Sequence, residues 1–132
     1  MNNIGKMGIL ILESDSVMRS VLRDILSPLG CVVRIAKDIG VAVRKIHEVE
    51  PDLLIVSPYL DGVSGDEAAT FLRKDGPGMD ILMVAGFPHD DRIENRMLNH
   101  GIHSFPPPYP KEALLQKVRE MLTARSDAAK TE

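Results

Sequence analysis

Five short apolar runs recur along the chain, mostly without polar alternation: Gly8–Leu12, Cys31–Ala36, Leu53–Ser57, Ile81–Ala85 and Ile102–Phe105. A strand with one face in water alternates apolar and polar residues. Unbroken apolar runs of this length instead suit strands of a parallel sheet covered on both faces.

Segments of helical period separate the runs. Met18, Val21, Leu22, Ile25 and Leu29 form one apolar stripe, ended by Pro28 and Gly30. Ile39, Ala42, Val43 and Ile46 form a second, with Asp38 as N-cap. Ala68, Phe71 and Leu72 mark a short third helix after Asp66. Asp90 and Asp91 open a fourth, carrying Ile93 and Met97 and stopping at Gly101. Leu114, Leu115, Val118, Met121 and Leu122 give a fifth. Five successive β–α units with right-handed crossovers predict an α/β fold. The expected architecture is a single, doubly wound, five-stranded parallel sheet of order 2-1-3-4-5 with helices on both faces. Residues 1–123 form the expected domain, and 124–132 read as a polar tail or the start of a linker.

Size and charge narrow the function classes. A chain of 132 residues fits one domain, and its 44% hydrophobic content is ordinary for a globular protein. A net charge of -3 without a basic stripe argues against nucleic acid and anionic membranes as partners. The lone Cys31 cannot close an internal disulfide, which predicts a reducing cytoplasm, and its place in an apolar run predicts a small packed hydrophobe. No stretch approaches a membrane span.

In open sheets of this kind the functional crevice lies beyond the C-terminal strand ends. That rule directs attention to Glu13–Ser16, Ser57–Gly65, Ala85–Pro88 and Phe105–Pro110. The order of these segments resembles the response-regulator receiver family. Ile9-Leu10-Ile11-Leu12-Glu13-Ser14-Asp15 is similar to the receiver opening, where acidic residues close the first strand. Pro51-Asp52-Leu53-Leu54-Ile55-Val56 resembles the approach to the phospho-accepting aspartate, and Ser64-Gly65 the Asp-Gly after it. Gly101, Phe105, Pro108-Tyr109 and Leu114 resemble the closing loop and last helix.

The resemblance implies a phosphotransfer site that this sequence lacks. Ser57 stands at the acceptor position, where a hydroxyl without an adjacent base is a poor nucleophile and forms no labile acyl phosphate. Ser14 replaces one of the two acidic residues expected to hold Mg²⁺, leaving Glu13 and Asp15. Ala85 replaces the Thr or Ser that would bind the phosphoryl group. The family's lysine falls at Pro107, with one residue missing after Phe105, the aromatic switch position. A degenerate, non-enzymatic receiver follows, with no cofactor beyond weak Mg²⁺.

Other motifs admit milder readings. Glu13, Asp15 and Asp61 invite a metal, yet Asp15 is equally placed to cap the first helix. His89, His100 and His103 invite another, but His100 suits a helix C-terminus, where the dipole favours positive charge. The run Pro106 to Pro110 suits a rigid internal loop better than a ligand for aromatic grooves.

The expected function is a receiver-like module of a two-component or phosphorelay pathway that acts by protein–protein interaction with a histidine kinase or an effector domain. The expected partner surface includes Asn95 and Asn99 of the fourth helix and His103 of the fifth strand. The alternatives are a flavodoxin-like small-ligand domain on the same crevice and the regulatory domain of a longer response regulator.

Overall fold

The computed structural model describes residues 4–84, 102–105 and 111–130. A 3-10 turn (Ile4–Lys6) precedes β1 (Gly8–Leu12), α1 (Ser16–Leu26), a second 3-10 turn (Ser27–Leu29), β2 (Val32–Ala36), α2 (Ile39–Glu48) and β3 (Leu53–Val56). A small antiparallel pair, β4 (Tyr59–Leu60) and β5 (Val63–Ser64), leads into α3 (Gly65–Leu72). Then come β6 (Asp80–Val84), β7 (Ile102–Phe105) and a long α4 (Lys111–Lys130). The helix expected to open at Asp90 lies outside the described residues.

The five main strands pair in parallel in the order β2-β1-β3-β6-β7, which is the expected 2-1-3-4-5 once the β4–β5 hairpin is set aside. Both faces are buried, so alternate residues of one strand feed two cores. Leu10, Leu12, Leu54, Val56, Ile81 and Met83 pack with Ala42 and Ile46 of α2 and Ala69 and Leu72 of α3. Ile9, Ile11, Leu53, Ile55, Leu82 and Val84 pack with Leu22 and Leu26 of α1 and Leu114, Val118 and Leu122 of α4.

The helix starts follow local chemistry. Asp15 accepts from the backbone N–H groups of Val17 (2.8 Å) and Met18 (3.4 Å), and Asp38 accepts from Val41 (2.8 Å). Gly30, at φ 73°, closes the turn that ends the first helical segment. The third helix starts earlier than expected, because Ser64 rather than Asp66 lies at its N-cap.

Met18, Val21 and Phe71, expected on apolar stripes, are exposed. Leu22 and Leu26 are the buried residues of α1, with Ile25 partly buried against the same core, and Phe71 instead carries the Lys74 ammonium 3.9 Å from its ring centroid. The segment 124–130 is helical, continuing α4 as one element to Lys130. Its Ala and Arg content favours helix, and Arg125 Nε is 3.0 Å from Asp52 Oδ1. Asp52 uses its other oxygen to accept from Gly8 N (2.9 Å), at the bottom of β1. Among the described residues, no helix is long and apolar enough to cross a membrane.

Candidate functional site at the strand ends

Pairing of Leu12 with Val56 sets the ends of β1 and β3 side by side, so Glu13 and Ser57 leave the sheet as neighbours. Both are buried, at 6% and 5% exposure. The Ser57 hydroxyl donates to Glu13 Oε1 at 2.6 Å, and Glu13 Oε2 accepts from Asp15 N at 3.1 Å. A buried carboxylate needs such donors, and these bonds are charge-assisted. The Asp15 side chain caps α1. Ser14 Oγ accepts from Asp61 N at 3.0 Å, which ties the β1–α1 loop to the tip of the hairpin.

Arg19 completes this loop. Its Nη1 donates to the carbonyls of Glu13 (2.8 Å) and Ser14 (3.0 Å) from one turn into α1. Gly65 closes the other side. A Cβ there would lie 2.1 Å from the Ser57 carbonyl oxygen and 2.8 Å from Pro58 Cα, and its N–H donates to Pro58 O at 2.7 Å. Ser64 donates to the buried Asp66 at 2.7 Å.

The structure thus brings together Glu13, Ser14, Asp15 and Ser57, but Glu13, Asp15 and Asp61 do not converge. Among the described residues, no group of three or more His, Cys, Asp or Glu side chains is placed to hold a metal ion. Phe105 is paired through its backbone with Val84 at the end of β7, and His103 is exposed on the same strand. Ala85, His89, Asn95, Asn99, His100 and Pro107 lie outside the described residues. Sequence reasoning missed Arg19, whose role depends on a loop conformation. It also missed the hairpin, although Asp61-Gly62 between apolar residues is a turn signal, and Gly62 takes φ 82°. Cys31 lies far from this crevice, half-buried, with its thiol donating to Ile4 O at 3.0 Å. Burial pushes the thiol pKa up, and the Asp52 carboxylate adds to the rise.

Residues 9–119 match the response regulator receiver domain. The chain belongs to this family. The receiver resembles the response regulator protein VraR of Staphylococcus aureus, at 36% identity over 64 residues, 48% of this chain and 30% of VraR. The match to VraR of Staphylococcus epidermidis is 34% over the same length. The chain therefore aligns with less than a third of the length of these curated relatives. Among solved structures it is similar to a CheY-like receiver domain protein from Methanospirillum hungatei, with TM-score 0.82 and 27% identity over 93% of this chain and 98% of the other. Its fold also matches the receiver domain of Ssk1 from Saccharomyces cerevisiae, crystallised with the histidine phosphotransfer protein Ypd1, at TM-score 0.77 and 20% identity over 92% of each chain. The chain is thus a response-regulator receiver domain of two-component signalling.

Proposed function

We propose that this receiver is a non-enzymatic interaction module that accepts no phosphoryl group and binds its signalling partner constitutively. The observation that carries the reading is the 2.6 Å bond from Ser57 to Glu13. The bond closes the hydroxyl at the position read as the acceptor against an acid, which supports the reading. Glu13 is an adjacent base that the sequence alone did not reveal, but activation of Ser57 would still yield a stable phosphoester rather than a labile acyl phosphate. The ester would also force a near-dianion against the buried Glu13 carboxylate.

The donor set does not fit Mg²⁺. Both Glu13 oxygens and one Asp15 oxygen already accept protein N–H or O–H groups. Too few anionic oxygens remain to repay dehydration of the ion. A flavodoxin-like phosphate site fits no better, because Asp15 already occupies the α1 N-terminus and the loop is acidic. The Ssk1 receiver's complex with a phosphotransfer protein supports a signalling protein as partner, and Asn95, Asn99 and His103 remain the proposed contact surface. Regulation then rests on abundance or on the partner's own state, since no phosphoryl group shifts a two-state equilibrium.

Intact-mass spectrometry after incubation with acetyl phosphate and Mg²⁺ tests the reading. The expected result is no adduct, for the native chain and for Ser57→Asp alone. A stable gain of one phosphoryl group on the native chain overturns it.

A further inference from the structure

We infer that the last two turns of α4 are a strap that docks on the domain or leaves it, latched by Arg125 where β3 and β6 begin. The buried anchors of α4 are Leu114, Val118 and Leu122, and no side chain from 124 to 129 is buried. Past Leu122 the helix propagates without a packed face. Each added residue then gains a hydrogen bond at nearly the cost of its own ordering, and such an end frays. What meets the domain there is an ionic contact. Arg125 Nε lies 3.0 Å from Asp52 Oδ1, and its Nη1 lies 3.8 Å from Asp80 Oδ2. Beside the contact runs a cleft of about 580 Å³, with Met7, Asp52 and Asp80 on the domain side and Ser126, Ala128 and Ala129 on the helix. The strap spans open space here rather than a packed seam.

The contact is weak enough to open. The side chains of Arg125, Asp52 and Asp80 are 28%, 33% and 39% exposed, so water and salt screen their attraction. It is also shared, with one guanidinium facing two carboxylates. Their mutual repulsion is present whether or not the strap is docked, whereas the attraction to Arg125 belongs to the docked state alone. Added salt therefore favours release. The latch reaches a third strand as well. Asp52 Oδ2 accepts from Gly8 N at 2.9 Å where β1 begins, and Asp80 N donates to Asp52 O at 3.0 Å. Docking steadies the carboxylate that holds Gly8, and by linkage a firmly held Gly8 favours docking. The crevice lies at the opposite strand ends, so charge at the base of the sheet sets the strap, not the state of Ser57.

Backbone NMR shifts of the full 132-residue chain, which read helix population residue by residue, test the inference. Arg125→Ala puts a better helix former in the strap, so propensity alone would leave 124–130 as helical or more so. The latch predicts the reverse, with the ratio of docked to free strap falling about threefold. Raising NaCl from about 20 to about 500 mM should produce a similar loss in the native chain and little further change in Arg125→Ala. The Gly8 amide should follow the same salt curve. Asp52→Asn and Asp80→Asn should each reproduce part of the loss. Residues 111–122 stay helical in every variant, which keeps release of the strap apart from unfolding. A strap in Arg125→Ala as helical as the native one overturns the inference, and so does a native strap indifferent to salt. A loss that neither asparagine variant shares overturns it equally, by placing the contact of the guanidinium elsewhere. None of these results bears on whether acetyl phosphate modifies the chain.

Discussion

Removing the Ser57 hydroxyl measures how tightly the crevice is closed. In Ser57→Ala the Glu13 carboxylate, 6% exposed, keeps the Asp15 N–H but loses its 2.6 Å donor. Both partners are buried, so solvent screening does little to reduce the loss. Charge-assisted hydrogen bonds contribute about 1.5–3 kcal/mol, and an orphaned acceptor adds to the cost, so a destabilisation of roughly 2 kcal/mol is expected. For a domain this size the urea midpoint should fall by about 1 M at an unchanged slope. Glu13→Gln retains the shape of the side chain but removes its charge. In that background the same Ser57→Ala change should cost less, with a coupling energy of about 1 kcal/mol. Urea unfolding of the four proteins, followed by circular dichroism, closes the cycle. A Ser57→Ala protein within about 0.5 kcal/mol of the native one, or a coupling indistinguishable from zero, would show that the bond does not hold the crevice shut.

Gly65→Ala should destabilise the domain by about 3 kcal/mol or more, because its Cβ meets backbone 2.1 Å away, and differential scanning calorimetry reads the loss. Arg125→Ala should cost no more than about 1 kcal/mol, since both partners of its ion pair are roughly a third exposed. Asp52→Ala should cost more, because it also abandons Gly8 N; equal urea midpoints for the two variants would contradict this. The Cys31 thiol should react with iodoacetamide more slowly than a free thiol, because its pKa is raised in the fold. The unfolded thiol ionises first, so this contribution to stability is intact below the ordinary thiol range and is lost as pH rises from there through the raised value of the folded thiol. Alkylation rates from pH 7 to 10 check both statements.

Most of the sheet was legible because the signal sat in the strands themselves. Leu53 to Val56 is buried at every position, and unbroken apolar runs of that kind announce a doubly covered strand. Asp15 and Asp38 were legible as caps because capping is chemistry over two or three residues. Long-range polar contacts were not. That Ser57 meets Glu13, 44 positions earlier, follows only once β1 and β3 are paired in register. The outward turn of Val21 was also invisible, since a helical stripe gives the direction of burial but not how much of its width a sheet can cover. The helical continuation through 124–130 was hidden by its polarity, as it is tied by Arg125 rather than by an apolar face.

The apolar runs leave one question that burial cannot answer. In a sheet exposed on one side, slipping a strand by a single residue throws its core into water, and that penalty fixes the pairing. Here Leu53, Leu54, Ile55 and Val56 are all sealed, so a slipped β3 would merely exchange one set of aliphatic side chains for another of similar bulk. The alignment of β1 with β3 must be dictated from its ends. Asp52 grips Gly8 N one step before the first strand pair, Ile9 with Leu53, and Ser57 grips Glu13 one step after the last, Leu12 with Val56. A one-residue slip would break both grips and strand buried carboxylate at the upper one. The serine at the mouth of the crevice is thus also half of a vernier: it tells two greasy strands, otherwise free to slide, where to stop.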